Sequence, residues 1–159
     1  CRAISWQRPP PNYYKHNMDA SVYQGRASRG GLLHDMDRNL VFAFYKEFGE
    51  SDVLMAESLS LMHGLLLCLE RQVQNLLVEV NSETLVRLLL SRVVGKWPLF
   101  NVLRRIRGLL SDSSSSIRHV YREVNSTADK LARQVCGCRT IISLPPTYIF
   151  LSRLEHRNF

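Results

Sequence analysis

The chain has 159 residues, 45% of them hydrophobic, and a formal net charge of +7. This length is enough for one domain with a sizeable core, and the basic balance favours an anionic partner. No apolar run reaches the roughly 18 residues of a membrane span, so we expect no membrane partner. Because the chain begins with Cys1 and not with methionine, we interpret it as a fragment or a processed chain.

The first half of the chain predicts an extended N-terminal arm, an antiparallel ribbon and a long helix. Residues 1–14 contain three consecutive prolines and form the arm. Residues 15–21 predict the first strand. The apolar runs at 31–35 and 40–47 predict a hairpin, because a polar turn separates them. A helix is expected from the capping pair at 51–52 to about residue 71, with apolar residues at helical spacing.

The second half alternates strands with helices. Residues 75–80 predict a strand that is buried on both faces. Helices are expected at 83–90 and 99–110, the first capped by a serine and the second preceded by a proline. Residues 117–122 predict the fifth strand, and residues 127–135 the last helix.

The element order is therefore βββαβααβα. It predicts an α/β domain at residues 15–138, with a mixed five-stranded sheet and helices on both faces. Residues 139–159 are apolar and contain prolines, so we expect a C-terminal tail packed on the domain. The sequence gives no clear oligomer signal.

Four cysteines are compatible with an intracellular protein that has no structural disulfides. Cys68 lies in an apolar helix and is expected in the core. Cys136 and Cys138 form a C-x-C pair, which differs from the C-x-x-C spacing of zinc and redox sites. We therefore expect a reducing compartment, with nucleus, cytoplasm and organelle equally compatible.

Basic residues are concentrated between positions 86 and 122, where Asp112 is the only acid. A localised basic region is typical of surfaces that contact phosphates, although a solvated helix face would have the same composition. The cluster consists of Arg87, Arg92, Lys96, Arg104, Arg105, Arg107, Arg118 and Arg122.

Three carboxylates and one amide stand at strand ends and on helices in the predicted order. They are Asp19, Glu57, Asn81 and Asp129. Each acid alone has an ordinary explanation as a strand-end, solvated or first-turn residue. Together they would supply the oxygen ligands that Mg²⁺ prefers, and clustered carboxylates repel one another unless a cation is present.

Four short segments on these elements carry the candidate residues: KHNMDAS (15–21), AE (56–57), VEVNS (78–82) and HVYREVNSTADKLA (119–132). As an ordered set they resemble the ribonuclease H domain, in its plant reverse-transcriptase-like branch related to retrotransposon RNase H. The resemblance covers roughly residues 6–138, and it depends on the ordered set because each segment is short.

The resemblance implies an endonuclease that hydrolyses the RNA strand of RNA–DNA hybrids with two Mg²⁺ ions, or Mn²⁺ in their place. Asp19 would bridge both ions. Glu57 would join one ion and reach the ribose, and Asp129 would hold the other. Asn81 takes the fourth position of the metal site, at the end of the central strand.

Asn81 departs from the family pattern, which has a carboxylate at this position. An amide oxygen can coordinate a metal, but it carries no negative charge. We therefore expect strongly reduced cleavage, with the fold and substrate binding retained. A natural residue of a degenerate enzyme and an engineered Asp→Asn substitution are both compatible with this sequence.

Two smaller departures concern the loop before the last helix and the basic protrusion of some members. Residues 122–127 lack the loop histidine of bacterial-type members, and His119 is expected to be a packed or exposed strand residue. The protrusion is absent, and its role is assigned to basic residues around the second and third helices. These are Arg92, Lys96, Arg104, Arg105 and Arg107.

Further contacts to nucleic acid are expected near the metals and along the RNA strand. Asn17, Ser21 and Ser82 lie near the expected metals. Arg26 and Arg29 lie in a glycine-rich turn region that would meet the RNA strand. Such recognition depends on shape and ribose hydroxyls and not on base sequence.

Two other functions are compatible with the sequence. The first is a catalytically inactive module for nucleic-acid binding or protein interaction, which Asn81 and the apolar tail favour. The second is a 3′–5′ exonuclease of the same superfold. It ranks last because its D-x-E motif would need a glutamate where Ser21 stands.

Overall fold

The computed structural model describes residues 7–24, 26–91, 96–125 and 140–143. Residues 21–23, 29, 45–48 and 140–143 are described by their backbone alone. The strands are β1 (Tyr14–Tyr23), β2 (Arg26–His34), β3 (Leu40–Glu50), β4 (Leu76–Val80), β5 (Ser116–His119) and β6 (Thr140–Ser143). The helices are α1 (Val53–Glu70), α2 (Glu83–Leu90) and α3 (Leu99–Asp112).

The strands form one mixed sheet in the order β5-β4-β1-β2-β3-β6. β1, β2 and β3 form an antiparallel ribbon, while β4 runs parallel to β1 and β5 parallel to β4. The five predicted strands are therefore present, but β2 begins at Arg26, so the glycine-rich segment expected as a turn region is part of this strand and pairs with β1. Because β1, β4 and β5 are parallel, their carboxyl ends meet at one edge of the sheet, where open α/β sheets bind ligands.

β6 is a sixth strand that the sequence analysis missed. It comes from the segment expected as a tail, and it pairs antiparallel with the outer edge of β3. Its central residues are two isoleucines, which favour a strand. The pairing satisfies backbone groups that an open sheet edge would leave without partners.

β5 is shorter than predicted, since it ends at His119. The chain then makes two successive turns, in which Val124 N donates to Tyr121 O at 3.0 Å and Asn125 N donates to Arg122 O at 3.0 Å. The predicted last helix lies outside the described residues.

The three described helices pack on one face of the sheet in a single hydrophobic cluster. α1 begins at the N-cap Asp52, whose carboxylate accepts from Met55 N at 2.8 Å. Among the described residues, α1 is the one helix whose length and composition would allow it to cross a membrane. Leu61, Leu65 and Cys68 bury its apolar face in the core, and Cys68 is a free thiol as predicted.

Arg107 connects the helices α2 and α3, which corrects its expected role at a nucleic-acid surface. Its guanidinium donates to Leu88 O at 2.7 Å, Ser91 O at 3.1 Å and Leu89 O at 3.2 Å. These are carbonyls at the C-terminal end of α2, which a helix leaves without intrahelical partners. Arg107 therefore caps α2 from α3.

A buried ion cluster lies on the opposite side of β1 and β4 from the helices. Glu79 is 1% exposed, and one of its carboxylate oxygens lies 3.0 Å from Lys15 Nζ and 2.8 Å from Asn17 Nδ2. The other oxygen accepts from Arg118 Nε at 2.9 Å and also from Arg118 Nη2. This cluster joins β1, β4 and β5, the three strands at one end of the sheet.

Candidate active site

The structure brings together three of the four predicted metal-site residues. Asp19, Glu57 and Asn81 line one depression, whose walls include Ser60 and Leu85. The residues come from β1, from α1 and from the position directly after β4. Asp129 lies outside the described residues.

Asp19 is held at the carboxyl-terminal part of β1. The parallel register pairs Met18 with Val80, so Asp19 and Asn81 follow paired residues on neighbouring strands. The Asp19 side chain is buried, and its Oδ1 accepts from Ala20 N at 2.8 Å. Ser60 Oγ donates to the Asp19 carbonyl at 3.3 Å, which ties this end of β1 to α1.

Glu57 reaches the depression from the first half of α1 and is half-buried. Burial raises the pKa of its carboxyl group, while a hydrogen bond from Ser82 and the positive charge of Arg122 oppose that rise. Ser82 also accepts from Leu85 N at 3.3 Å and so caps α2. Ser82, expected as a nucleic-acid contact, therefore connects the start of α2 to Glu57.

Asn81 is half-buried between the end of β4 and the cap of α2. Within the described part of the chain, its amide makes no hydrogen bond to another side chain, so its oxygen can accept a ligand. The depression thus offers two carboxylates and one neutral amide oxygen. Oxygen donors of this type suit a hard divalent cation such as Mg²⁺. Within the described ranges, no group of three His, Cys, Asp or Glu residues could hold a metal ion.

Asn17 corrects an expectation, because it does not lie at a nucleic-acid surface. It is 3% exposed, and its amide donates to Glu79 on the neighbouring strand. Asn17 and Glu79 are register partners two residues before Asp19 and Asn81. The pair therefore supports the alignment of the strands that carry the site.

The other expected nucleic-acid contacts lie in different places. Arg104 and Arg105 are exposed and line a groove with Leu69 and Asp112, apart from the depression. Arg26 is exposed at the start of β2, and Lys96 is exposed before α3. Ser21 and Arg29 belong to β1 and β2 by backbone alone, and Arg92 lies outside the described residues. Their contact with nucleic acid stays a prediction.

The turn after β5 contributes two residues that the sequence analysis did not assign to the site. Asn125 is 1% exposed, and its Nδ2 donates to Met18 O at 2.5 Å beside Asp19. Arg122 acts on Glu57 through its charge. Both residues lie in the segment 119–132, which resembles the family. Their position in that segment was the sequence signal that could have assigned them to the site. His119 is a strand residue as predicted, with its ring against Tyr121.

Comparison with known proteins identifies relatives for most of the chain. The family model described as "Reverse transcriptase-like" matches residues 17–135. An Arabidopsis thaliana protein named "Putative ribonuclease H protein" is 34% identical over 134 residues, which are 82% of this chain and 22% of that protein. The chain therefore spans about a fifth of the length of this relative.

Solved structures with the same fold are ribonucleases H. RNase H1 from the halophilic archaeon Halobacterium salinarum has a TM-score of 0.69 at 23% identity, covering 75% of this chain and 93% of that chain. An N-terminal RNase H domain from Mycobacterium tuberculosis has a TM-score of 0.68 at 22% identity, covering 76% and 90%. LC11-RNase H1 in complex with an RNA/DNA hybrid has a TM-score of 0.65 at 22% identity, covering 74% and 92%.

Proposed function

Since the chain belongs to the reverse-transcriptase-like family and has the ribonuclease H fold, we propose that it is an RNase H-type endonuclease acting on the RNA strand of RNA–DNA hybrids. The observation that carries this proposal is the meeting of Asp19, Glu57 and Asn81 in one depression at the strand ends. A neighbour of the same fold binds an RNA/DNA hybrid, which supports the choice of substrate.

The residues of the depression would hold divalent cations and position the scissile phosphate. Two Mg²⁺ ions, or Mn²⁺ in their place, would when bound supply the chemistry of an in-line displacement by activating water and stabilising the leaving oxygen. Asp19 and Glu57 would provide carboxylate oxygens from β1 and α1, and Asp129 would complete the set. Ser82 would keep Glu57 oriented toward the depression through their hydrogen bond.

Asn81 is expected to limit this activity. Its amide has nearly the shape of a carboxylate, so it can occupy the same volume without distorting the strand end. It brings no negative charge, however, and so attracts a second cation less strongly. We propose that the chain retains substrate binding and cleaves slowly.

The test is hybrid cleavage in Mg²⁺ or Mn²⁺ by this chain and by Asn81→Asp. We expect Asn81→Asp to raise the cleavage rate on the order of 100-fold, because a full metal ligand contributes several kcal/mol of charge stabilisation. Asp19→Asn in the Asn81→Asp background is the control and should abolish the gain. Equal, measurable rates in the two forms would contradict the limiting role of Asn81, and absence of cleavage by Asn81→Asp would argue against the enzyme.

A catalytically inactive binding module is the second candidate, and Asn81 is the observation that favours it. Both candidates predict hybrid binding, so binding is measured beside cleavage. If both forms bind the hybrid and neither cleaves it, the binding module is supported. If neither form binds any nucleic acid, the enzyme, the nucleic-acid-binding module and the interpretation of the basic region are wrong, and a protein-interaction module is left.

The compartment is a further proposal. Burial raises the pKa of Cys68 to about 12, so this thiol stays protonated and protected in the core. This is compatible with a reducing, intracellular location. Fractionation of cells that express a tagged full-length protein tests it, and recovery of the protein from the secreted fraction would contradict it.

A further inference from the structure

A second pocket lies beside the candidate active site, at the β5 end of the described sheet. We call it the β5 pocket. Residues on its wall include Lys15, Glu79, Arg118, His119, Tyr121 and Val124. None of these six residues lines the depression of Asp19, Glu57 and Asn81.

The β5 pocket is close to the site because the chain leaves β5 next to Asn81. Val120 N donates to Val80 O at 2.9 Å, one residue before Asn81. Tyr121 follows at once, and the turn then reaches the end of β1, where Asn125 bonds the Met18 carbonyl. A polymer lying over the depression can therefore extend into the pocket.

The floor of the pocket is built from charged groups that are fixed in place. Glu79 and Lys15 are buried, and both oxygens of Glu79 are engaged. Two cations face one carboxylate there, so the residues that line the pocket carry one positive charge in excess. Arg118 uses Nε and Nη2 for Glu79, and its side chain is 45% exposed. The remaining nitrogen of this guanidinium, Nη1, has no partner among the described residues and can donate to a phosphate.

An exposed aromatic ring lines the same pocket as this guanidinium. Tyr121 is 65% exposed, and its ring meets that of His119 at an interplanar angle of 72° with the centroids 5.6 Å apart. This contact holds the tyrosine ring while most of it stays open to solvent. An exposed aromatic ring and an accessible cation in one pocket form a combination that binds unpaired nucleotides, by base stacking and phosphate pairing.

We propose that the β5 pocket binds an unpaired nucleotide of a single-stranded extension that adjoins the hybrid. The base stacks on Tyr121, and its phosphate pairs with Arg118. A base within a duplex cannot do this, because its faces are covered by neighbouring pairs. The inference rests on the proposed function and deepens it, since the preferred substrate becomes a hybrid with a single-stranded flank.

Fluorescence anisotropy measures the affinity for a labelled blunt hybrid and for versions of it that carry one single-stranded extension of about five nucleotides. Each version has the extension at a different strand end. The integrity of the RNA strand is checked after each titration. One extension should tighten binding about tenfold, which corresponds to one stacked base. Tyr121→Ala should remove this gain and leave the affinity for the blunt hybrid unchanged, whereas Tyr121→Phe should keep it. Tyr13→Ala is the matched control, because Tyr13 is also exposed and does not line the pocket.

Arg118→Gln tests the phosphate contact. We expect Arg118→Gln to reduce the increase in affinity that the extension produces. The slope of log affinity against log salt for the extended hybrid should fall by about one ion, because one phosphate contact is lost. A melting curve accompanies it because Arg118 also bonds Glu79. A folded Arg118→Gln that keeps the full gain would overturn the phosphate assignment.

The outcomes separate this inference from the proposed function. If the blunt hybrid binds and no extension changes the affinity, the pocket proposal is wrong and the function stands. The pocket proposal would also be wrong if Tyr121→Ala weakened binding of the blunt hybrid and of the extended hybrid equally. If the hybrid does not bind but the isolated single strand does so through Tyr121, the pocket stands and the function is wrong. If neither binds, both are wrong.

Discussion

Glu79 is a buried carboxylate on β4 that is bonded by three side chains from β1 and β5. Its partners are Lys15, Asn17 and Arg118. A charge at such a depth is tolerated because both of its oxygens are bonded. The same network aligns β1 with β4 two residues before Asp19 and Asn81, so this residue links the stability of the sheet to the geometry of the site.

Replacing Glu79 by glutamine should destabilise the fold. The change keeps the shape of the side chain but leaves two cations without their counter-charge, so we expect a loss of about 3–5 kcal/mol in the free energy of unfolding. Urea denaturation measures it. Glu83→Gln is the matched control, because its pair with Arg87 is exposed and should contribute less than about 1 kcal/mol. Equal losses in the two variants would contradict the buried cluster as a stabilising element.

His16 makes the stability of the fold depend on pH. Burial lowers its pKa to about 3, with the nearby charge of His34 acting in the same direction. Its ring lies beside Phe42, Phe44 and the Cys68 thiol. The neutral form of His16 is therefore the one that the folded state accepts.

The sign of the pH effect follows from this depressed pKa. His16 binds a proton below about pH 6.5 in the unfolded chain, but only near pH 3 in the folded one. The contribution of neutral His16 to the free energy of unfolding is therefore complete above pH 6.5 and is lost as the pH falls toward 3. Unfolding free energies measured between pH 8 and pH 3 should fall less steeply in His16→Leu. A slope in His16→Leu equal to that of the parent would contradict the assignment.

At the scale of elements, two helical glycines of this chain face opposite environments. A Cβ at Gly64 of α1 would lie 2.4 Å from His16 Cε1 and 2.6 Å from Met18 Sδ. Gly64 therefore allows α1 to approach β1 closely. A Cβ at Gly108 of α3 would meet nothing within 4 Å.

These two positions predict opposite effects of the same substitution. Gly64→Ala should destabilise by about 1–3 kcal/mol, because overpacking at the α1–β1 contact outweighs the better helix propensity of alanine. Gly108→Ala should stabilise by about 0.5–1 kcal/mol, since only the propensity changes. Thermal and urea unfolding of both variants measure this, and a stabilising Gly64→Ala would show that α1 does not pack as described.

For the whole molecule, the sequence predicted the features that depend on local pattern and chain order. Alternation, capping residues and turn residues gave the five strands and three described helices. The meeting of Asp19 and Asn81 was predictable because the carboxyl ends of parallel strands share one edge. Glu57 followed from its place on the helix that packs on those strands.

The sequence did not predict contacts that depend on distant partners. Asn17 is bonded to a residue 62 positions away, and Arg107 caps a helix that ends 16 to 19 positions earlier. Both were assigned to nucleic acid because polar and basic residues have the same appearance whether they cap a helix, fill an ion cluster or face a substrate. β6 was missed because its pairing partner is β3, far back in the chain.

This ambiguity among basic residues can be tested on α3, where two arginines three positions apart differ in their partners. Arg104 is exposed, whereas Arg107 donates to three carbonyls of the α2 end. Arg104→Gln should leave stability within about 0.5 kcal/mol, weaken hybrid binding and lower the slope of log affinity against log salt by about one ion. Arg107→Gln should instead cost about 1–3 kcal/mol of stability, since three partly buried carbonyls lose their donor. Titrations at several salt concentrations, with urea unfolding, separate the two effects. An unchanged salt slope in Arg104→Gln would make Arg104 a solvated helix residue, and the net charge of +7 would then act through other side chains.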